Sequence, residues 1–177
     1  MKRIMYVFGM VLALCCCSTK ENTTTSSESN NDSKVNYLYS TYDFTQEPVG
    51  CDIYGFSGNE SFGRWTYGDT AIIDLKTAPL AEFTAKFDIS MIGVVGEPLV
   101  FDVNVNGNVV SHVSTNGGEP IFVNVSKECV GVDGSARIFF IFKNASVPAK
   151  YNPENKDPRK LGLALRGMTV YGYSLKN

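Results

Sequence analysis

The sequence predicts an all-β domain, an antiparallel sandwich of two packed sheets, after an N-terminal region of different character. Three observations carry this. From about Val35 onward, aromatic and β-branched residues appear and apolar positions alternate with polar ones. No long segment shows the 3.6-residue period of an amphipathic helix. Turn residues separate the alternating runs, and several short strands so spaced build sandwiches or barrels.

The clearest strand covers residues 83–91, where Phe83, Ala85, Phe87, Ile89 and Met91 interleave with Thr84, Lys86, Asp88 and Ser90. Leu99, Phe101, Val103 and Val105 mark a second, and Asn106-Gly107 supplies the positive φ values of a tight hairpin. Residues 109–113 return as its partner. Ile121, Val123 and Val125 mark another strand, and so do Ala71, Ile73 and Leu75. Residues 138–142 are apolar at every position, which predicts a central strand covered on both faces. Residues 161–173 form the last strand, interrupted by glycines. A domain of about 140 residues suffices for one core, burying about 68–70% of its unfolded surface.

The first residues read as an export signal. Lys2 and Arg3 precede an apolar or glycine run over residues 4–14. That run is shorter than the ~20 residues of a spanning helix and matches the hydrophobic region of a secretory signal. Leu12-Ala13-Leu14-Cys15-Cys16-Cys17-Ser18 then resembles a bacterial lipobox, in which a small residue precedes the acylated cysteine. Cys17 fits best, with Leu14 three residues back and Cys16 just before it; Cys16 is second. Palmitoylated or merely clustered thiols are the alternative. Diacylation would anchor the mature chain firmly, and Ser18 in place of Asp is compatible with sorting to the outer membrane of a bacterial envelope. Residues 18–34 contain only Ser, Thr, Asn, Lys, Glu and Asp, a composition of disordered tethers. The expected organisation is therefore signal and lipobox over 1–17, tether over 18–34 and sandwich over 35–177.

Sixteen basic against eighteen acidic residues give a net charge of −2, which lacks the basic footprint of a nucleic-acid partner. Cys51 and Cys129 are either a disulfide, which an oxidising compartment permits, or two free thiols. No zinc spacing and no calcium-loop signature occurs, so neither metal nor cofactor is expected.

Two segments differ from ordinary strands. Residues 55–68 pack glycines, Glu60, Arg64, the sole tryptophan Trp65 and other aromatics into a loop-like stretch. Residues 157–165 follow a charged, Pro-bearing loop into the last strand. The pair Glu60-x-x-Gly63-Arg64-Trp65-x-x-Gly68 and Asp157-x-Arg159-x-Leu161-Gly162-x-x-Leu165 resembles a β-sandwich module of bacterial envelope proteins. That module occurs at the C-terminus of phosphoglycerol transferases acting on osmoregulated periplasmic glucans and on some membrane glycosyltransferases. The resemblance runs from about Gly55 to Tyr171. It implies an accessory or binding role, since catalysis in those proteins belongs to another domain.

The residues themselves admit two readings. Phe62, Trp65 and Tyr67 can form a flat platform for sugar rings, Arg64, Arg159 and Lys160 can bind phosphate or carboxylate, and Glu60 and Asp157 can accept from sugar hydroxyls. Alternatively Trp65 is core, and Glu60, Arg64, Asp157 and Arg159 form a network that pins the loop to the last strand. Catalysis has little support: His112 is the sole histidine, and no nucleophile elbow or Ser-His-acid set is recognisable. The expectation is a non-catalytic, jelly-roll sandwich resembling carbohydrate-binding modules, lipid-anchored, with an envelope glycan or glycolipid head group as partner. A structural or protein-interaction lipoprotein is the second reading and a divergent envelope enzyme the third. Replacing Cys15, Cys16 and Cys17 together by Ser should move the chain from the membrane to the soluble fraction on cell fractionation; retention in the membrane refutes the lipid anchor.

Overall fold

The computed structural model describes residues 34–175, with side chains from 38 to 173; the signal, Cys17 and nearly all of the tether lie outside the described residues. Ten strands run in chain order: β1 (Lys34–Asp43), β2 (Cys51–Tyr54), β3 (Arg64–Tyr67), β4 (Thr70–Lys76) and β5 (Phe83–Ile92) in the first half. β6 (Leu99–Val105), β7 (Asn108–Thr115), β8 (Ile121–Val125), β9 (Ser135–Phe142) and β10 (Leu161–Leu175) complete them. All pairings are antiparallel.

One sheet has the order β1-β10-β5-β8 with β3 also paired to β10, and the other has the order β2-β4-β9-β6-β7. Setting aside the four-residue strands β2 and β3, the other eight read first–eighth–third–sixth in one sheet and second–seventh–fourth–fifth in the other. That is the order of a jelly roll, two interlocked Greek keys wound across two sheets.

Alternation decides what lies between the sheets. Ala71, Ile73 and Leu75 of β4, Phe101 and Val103 of β6, and Ile138 and Phe140 of β9 all point inward and are buried. Phe83, Ala85, Phe87 and Ile89 of β5 face them from the other layer. Phe140 is the centre of an aromatic cluster, 5.1 Å from Phe87 edge-to-face and 6.0 Å from Phe101 between ring centroids.

Two expectations need correction. β9 is central, between β4 and β6, but only its inward residues are covered. Phe139 and Ile141 are merely half-buried, because a two-layer sandwich leaves the outer face of each sheet to solvent. β10 is also one continuous strand through its glycines, absorbing irregularity as register shifts between Leu161 and Gly167. The hairpin is as expected, with φ of 50° at Asn106 and 94° at Gly107. β1, β2 and β3 carry too little alternation to stand out in the sequence.

Register also sorts the loops between two ends. The start of β1, the end of β10, residues 77–82, 106–107 and 126–134 share one end. Residues 55–63, 93–98, 116–120 and 143–160 lie at the other. Truncating Phe140 to Ala should cost about 3–5 kcal/mol, as for other buried aromatics, read from urea unfolding midpoints; a loss below about 1 kcal/mol would contradict this packing.

Candidate functional site

The two unusual segments meet at the second of these ends, and backbone geometry brings them there. After β2 the chain returns as β3, and residues 55–57 run along the free edge of β3. Tyr67 N–H donates to the Gly55 carbonyl at 2.9 Å and Ser57 N–H to the Trp65 carbonyl at 2.8 Å. Between them, Glu60 and Gly63 exchange two backbone hydrogen bonds of 2.9 Å, closing a tight turn. Gly63 has φ of +125°, and a Cβ there would lie 2.2 Å from the Leu165 carbonyl oxygen. Only glycine permits so close a docking of the turn on β10. The Glu60-x-x-Gly63 element is thus a folding device.

β3 alternates strictly: Arg64 and Thr66 are buried, Trp65 and Tyr67 face outward. The Thr66 hydroxyl accepts from Leu163 N–H at 2.9 Å and donates to the Leu163 carbonyl at 3.2 Å. It does so where the β3–β10 register shifts, replacing ladder partners that the irregularity removes.

Arg64 was expected to reach a ligand, and it turns inward instead. It is 6% exposed. Nη1 donates to the Ser57 carbonyl at 3.2 Å, and Nη2 to the Gln46 carbonyl at 3.3 Å and Glu47 Oε1 at 2.7 Å. These bonds tie the segment after β1 to the β3 loop and use the donors a phosphate would need. The pinning partner is Glu47, not Glu60 or Asp157 as the network reading had it.

The outward side chains are arranged differently from a flat platform. Trp65 is half-buried and stands opposite the small Ala164. Phe62 meets it edge-to-face, with ring centroids 6.2 Å apart and planes at 68°. Phe62 is therefore a flank of Trp65 and not a coplanar extension, an arrangement that ring quadrupoles favour. Tyr67 is 41% exposed.

The second segment places its charges beside them. Asp157 takes Arg159 side-on, with Oδ1 accepting from Nε at 2.9 Å and Oδ2 from Nη2 at 2.6 Å. The Arg159 guanidinium holds the Asp157 carboxyl below the usual carboxylate range, against a smaller opposing effect of burial. Arg159 is raised in turn, first by its bond to Asp157, with smaller charge effects from Glu60 and Tyr67. Asp157 and Arg159 thus form one paired unit. Lys160 pairs with Asp69 at 2.5 Å, both well exposed, and its carbonyl accepts from Gly68 N–H at 2.8 Å.

Elsewhere, His112 lies on the outer face of the second sheet with Nδ1 2.7 Å from Asp102, whose other oxygen accepts from Lys143 at 2.6 Å. Cys51 and Cys129 are free, half-buried thiols, and burial, with Asp52 adding to it, pushes Cys51 up to about 11. Among the described residues no group of three or more His, Cys, Asp or Glu is placed to hold a metal. Sequence reasoning missed one feature: a cleft of about 720 Å³ at the other end, lined by Asp52, Asp74 and Arg137 among others. No sequence signal marks it, because its residues are brought together only by strand register.

No protein-family model matches the sequence, and no curated protein matches it. Among solved structures, the fold is similar to a family 35 carbohydrate-binding module from Paenibacillus barcinonensis, with 13% identity, 75% of this chain and 98% of that one covered, and a TM-score of 0.45. A family 35 module from Clostridium thermocellum shows 12% identity, coverage of 78% and 97%, and a TM-score of 0.42. A third, from an environmental isolate, shows 12% identity, coverage of 78% and 98%, and a TM-score of 0.49. The likeness is one of β-sandwich architecture.

Replacing Arg64 by Ala should cost about 2 kcal/mol, because the carbonyl of buried Ser57 loses its donor and a space is left behind. Thermal unfolding checks this. A variant as stable as the parent would mean that Arg64 does not fasten the loop.

Proposed function

We propose that this chain is an exported, lipid-anchored, non-catalytic protein that binds a glycan of the bacterial envelope at the β3–β10 end of its sandwich. The observation that carries the reading is the outward pair Trp65 and Tyr67 on one face of β3, with the fixed Asp157–Arg159 fork just before Leu161, the strand partner of Tyr67. Sugar rings present apolar C–H faces and polar edges. An aromatic surface next to pre-oriented carboxylate and guanidinium groups meets both requirements with little ordering cost.

Charge narrows the ligand. Arg64 pairs with Glu47, Arg159 with Asp157 and Lys160 with Asp69, so each cation here already faces a carboxylate. This favours a neutral glycan over a phosphorylated head group. The site residues are then Glu60, Trp65, Tyr67, Asp157, Arg159 and Lys160, with Arg64 as the residue that positions the loop. Lipid attachment at Cys17 and an outer-membrane location remain part of the proposal and rest on the N-terminal sequence.

One observation favours a protein partner instead. The outer face of the first sheet exposes Leu38 (64%) and Phe122 (59%), with half-buried Tyr171 opposite Leu38. Leu38 and Phe122 lie on the two edge strands of that sheet, where each can meet another protein.

The test is binding of the full chain, in detergent, to a glycan array and to envelope extracts. Wild type should bind saturably. Trp65→Ala should weaken binding at least about tenfold while the melting temperature falls by no more than about 5 °C. A folded wild type that binds no glycan refutes the reading and leaves the protein-partner role. A Trp65→Ala variant that unfolds makes Trp65 a core residue.

A further inference from the structure

We propose that the cleft on the outer face of the second sheet is a second glycan-binding site, separate from the β3–β10 site. Only its ligand class rests on the carbohydrate reading above. The geometry is independent.

Register places Asp52, Asp74 and Arg137 side by side across β2, β4 and β9, all on the outer face. Two carboxylates directly opposite each other are unfavourable neighbours. The pair persists because Arg137 takes Asp74 in a two-pronged bond, Nε to Oδ1 at 2.7 Å and Nη2 to Oδ2 at 2.6 Å. Asp74 raises the Arg137 guanidinium, and the nearby Tyr54 phenol adds to the effect. Asp52 is exposed, and among the described residues its carboxylate makes no hydrogen bond or ion pair. Lys76, at the rim, is paired with Asp133 at 2.9 Å.

One step along the strands, the next row is apolar: Tyr54, Ile72 and Phe139. Tyr54 is 53% exposed, the other two are half-buried. The cleft itself, about 720 Å³ between Pro48, Asn106 and the charged row, lies on the other side of that row from Tyr54 and within the range of small-molecule sites of roughly 300–1,000 Å³.

These features specify a ligand. Asp52 offers two acceptor oxygens and calls for paired donors, which adjacent hydroxyls of a sugar ring supply. Tyr54, two residues along β2 on the same face, offers an aromatic surface to a ligand that extends past Asp52 out of the cleft. Among the described residues the Asp52 carboxylate has no counter-charge of its own, which disfavours uronates and phosphorylated sugars, and Arg137 close by disfavours an ammonium group. The ligand is therefore a neutral oligosaccharide. Because this cleft adjoins the Asn106-Gly107 turn while Trp65 lies at the other end of the sandwich, one molecule can hold two glycan segments at once. Engaging two segments of one polymer raises avidity without any new contact.

The experiment is calorimetric titration of the full chain in detergent with neutral xylo-, cello-, manno- and galacto-tetraoses. Wild type, Asp52→Ala, Tyr54→Ala and Trp65→Ala are compared. Asp52 and Tyr54 are exposed positions on an edge strand, and a melting curve confirms that each variant is folded. Two equivalents should bind to wild type and one to each variant, the affected site being weakened at least tenfold. If Asp52→Ala and Tyr54→Ala still bind two equivalents, or if Trp65→Ala alone removes all binding, the cleft is not a site. If the cleft variants abolish all binding and Trp65→Ala changes nothing, the cleft stands and the β3–β10 reading fails. If no tetraose binds to folded wild type, both fail.

Discussion

The exchange of partners along β10 organises the molecule. Over Gly167 to Leu175 its outer edge pairs with β1, and over Leu161 to Leu165 the same edge pairs with β3. Phe44 N–H, donating to the Arg166 carbonyl at 2.9 Å, fills the junction between the two partners. Such a handover leaves backbone groups out of ladder register, and in a buried strand these must find other partners. The Thr66 hydroxyl serves both polar groups of Leu163, and the Gly63 turn comes into contact with Leu165 because it lacks a side chain. β3 is four residues long, yet its placement decides which loop reaches the end of the sandwich.

That placement also divides labour among neighbouring residues. With β3 fixed against β10, Arg64 and Thr66 must point inward and Trp65 and Tyr67 outward. A guanidinium facing the interior costs less the more of its donors are satisfied. Ser57, Gln46 and Glu47 satisfy both terminal nitrogens, while Nε has no partner among the described residues. Arg64 therefore lies beneath the surface, while Trp65 and Tyr67, the next residues on the opposite face of β3, point outward.

The strands that bury one face were legible as alternation: residues 83–91, 99–105 and 121–125 appear as β5, β6 and β8. β2 and β3 were not, since four residues carry too few alternations to rise above chance, and β1 mixes polar and aromatic residues. The unusual composition of residues 55–68 and 157–165 did point to two segments that meet in space. Which of their side chains face outward was beyond composition, because the phase of β3 is set by its pairing with residues about 100 positions later, a long-range choice typical of β folds. The row Asp52, Asp74, Arg137 is hidden for the same reason: three isolated residues become neighbours only after β2, β4 and β9 have paired.

The opposed ends of the sandwich have a mechanical consequence. Lys34, where the chain enters the domain, is paired with Leu175, whereas the loop holding Asp157 and Arg159 leads into Leu161, at the far end of β10. A tug on a polymer held at that loop, resisted at Lys34, pulls β1 and β10 in opposite directions along their common axis. The hydrogen bonds between antiparallel strands run perpendicular to that axis, so they are strained together in shear and cannot be unzipped one at a time. Were the chain held at Lys34 and a polymer bound at the aromatic end, the load would fall on these bonds in parallel.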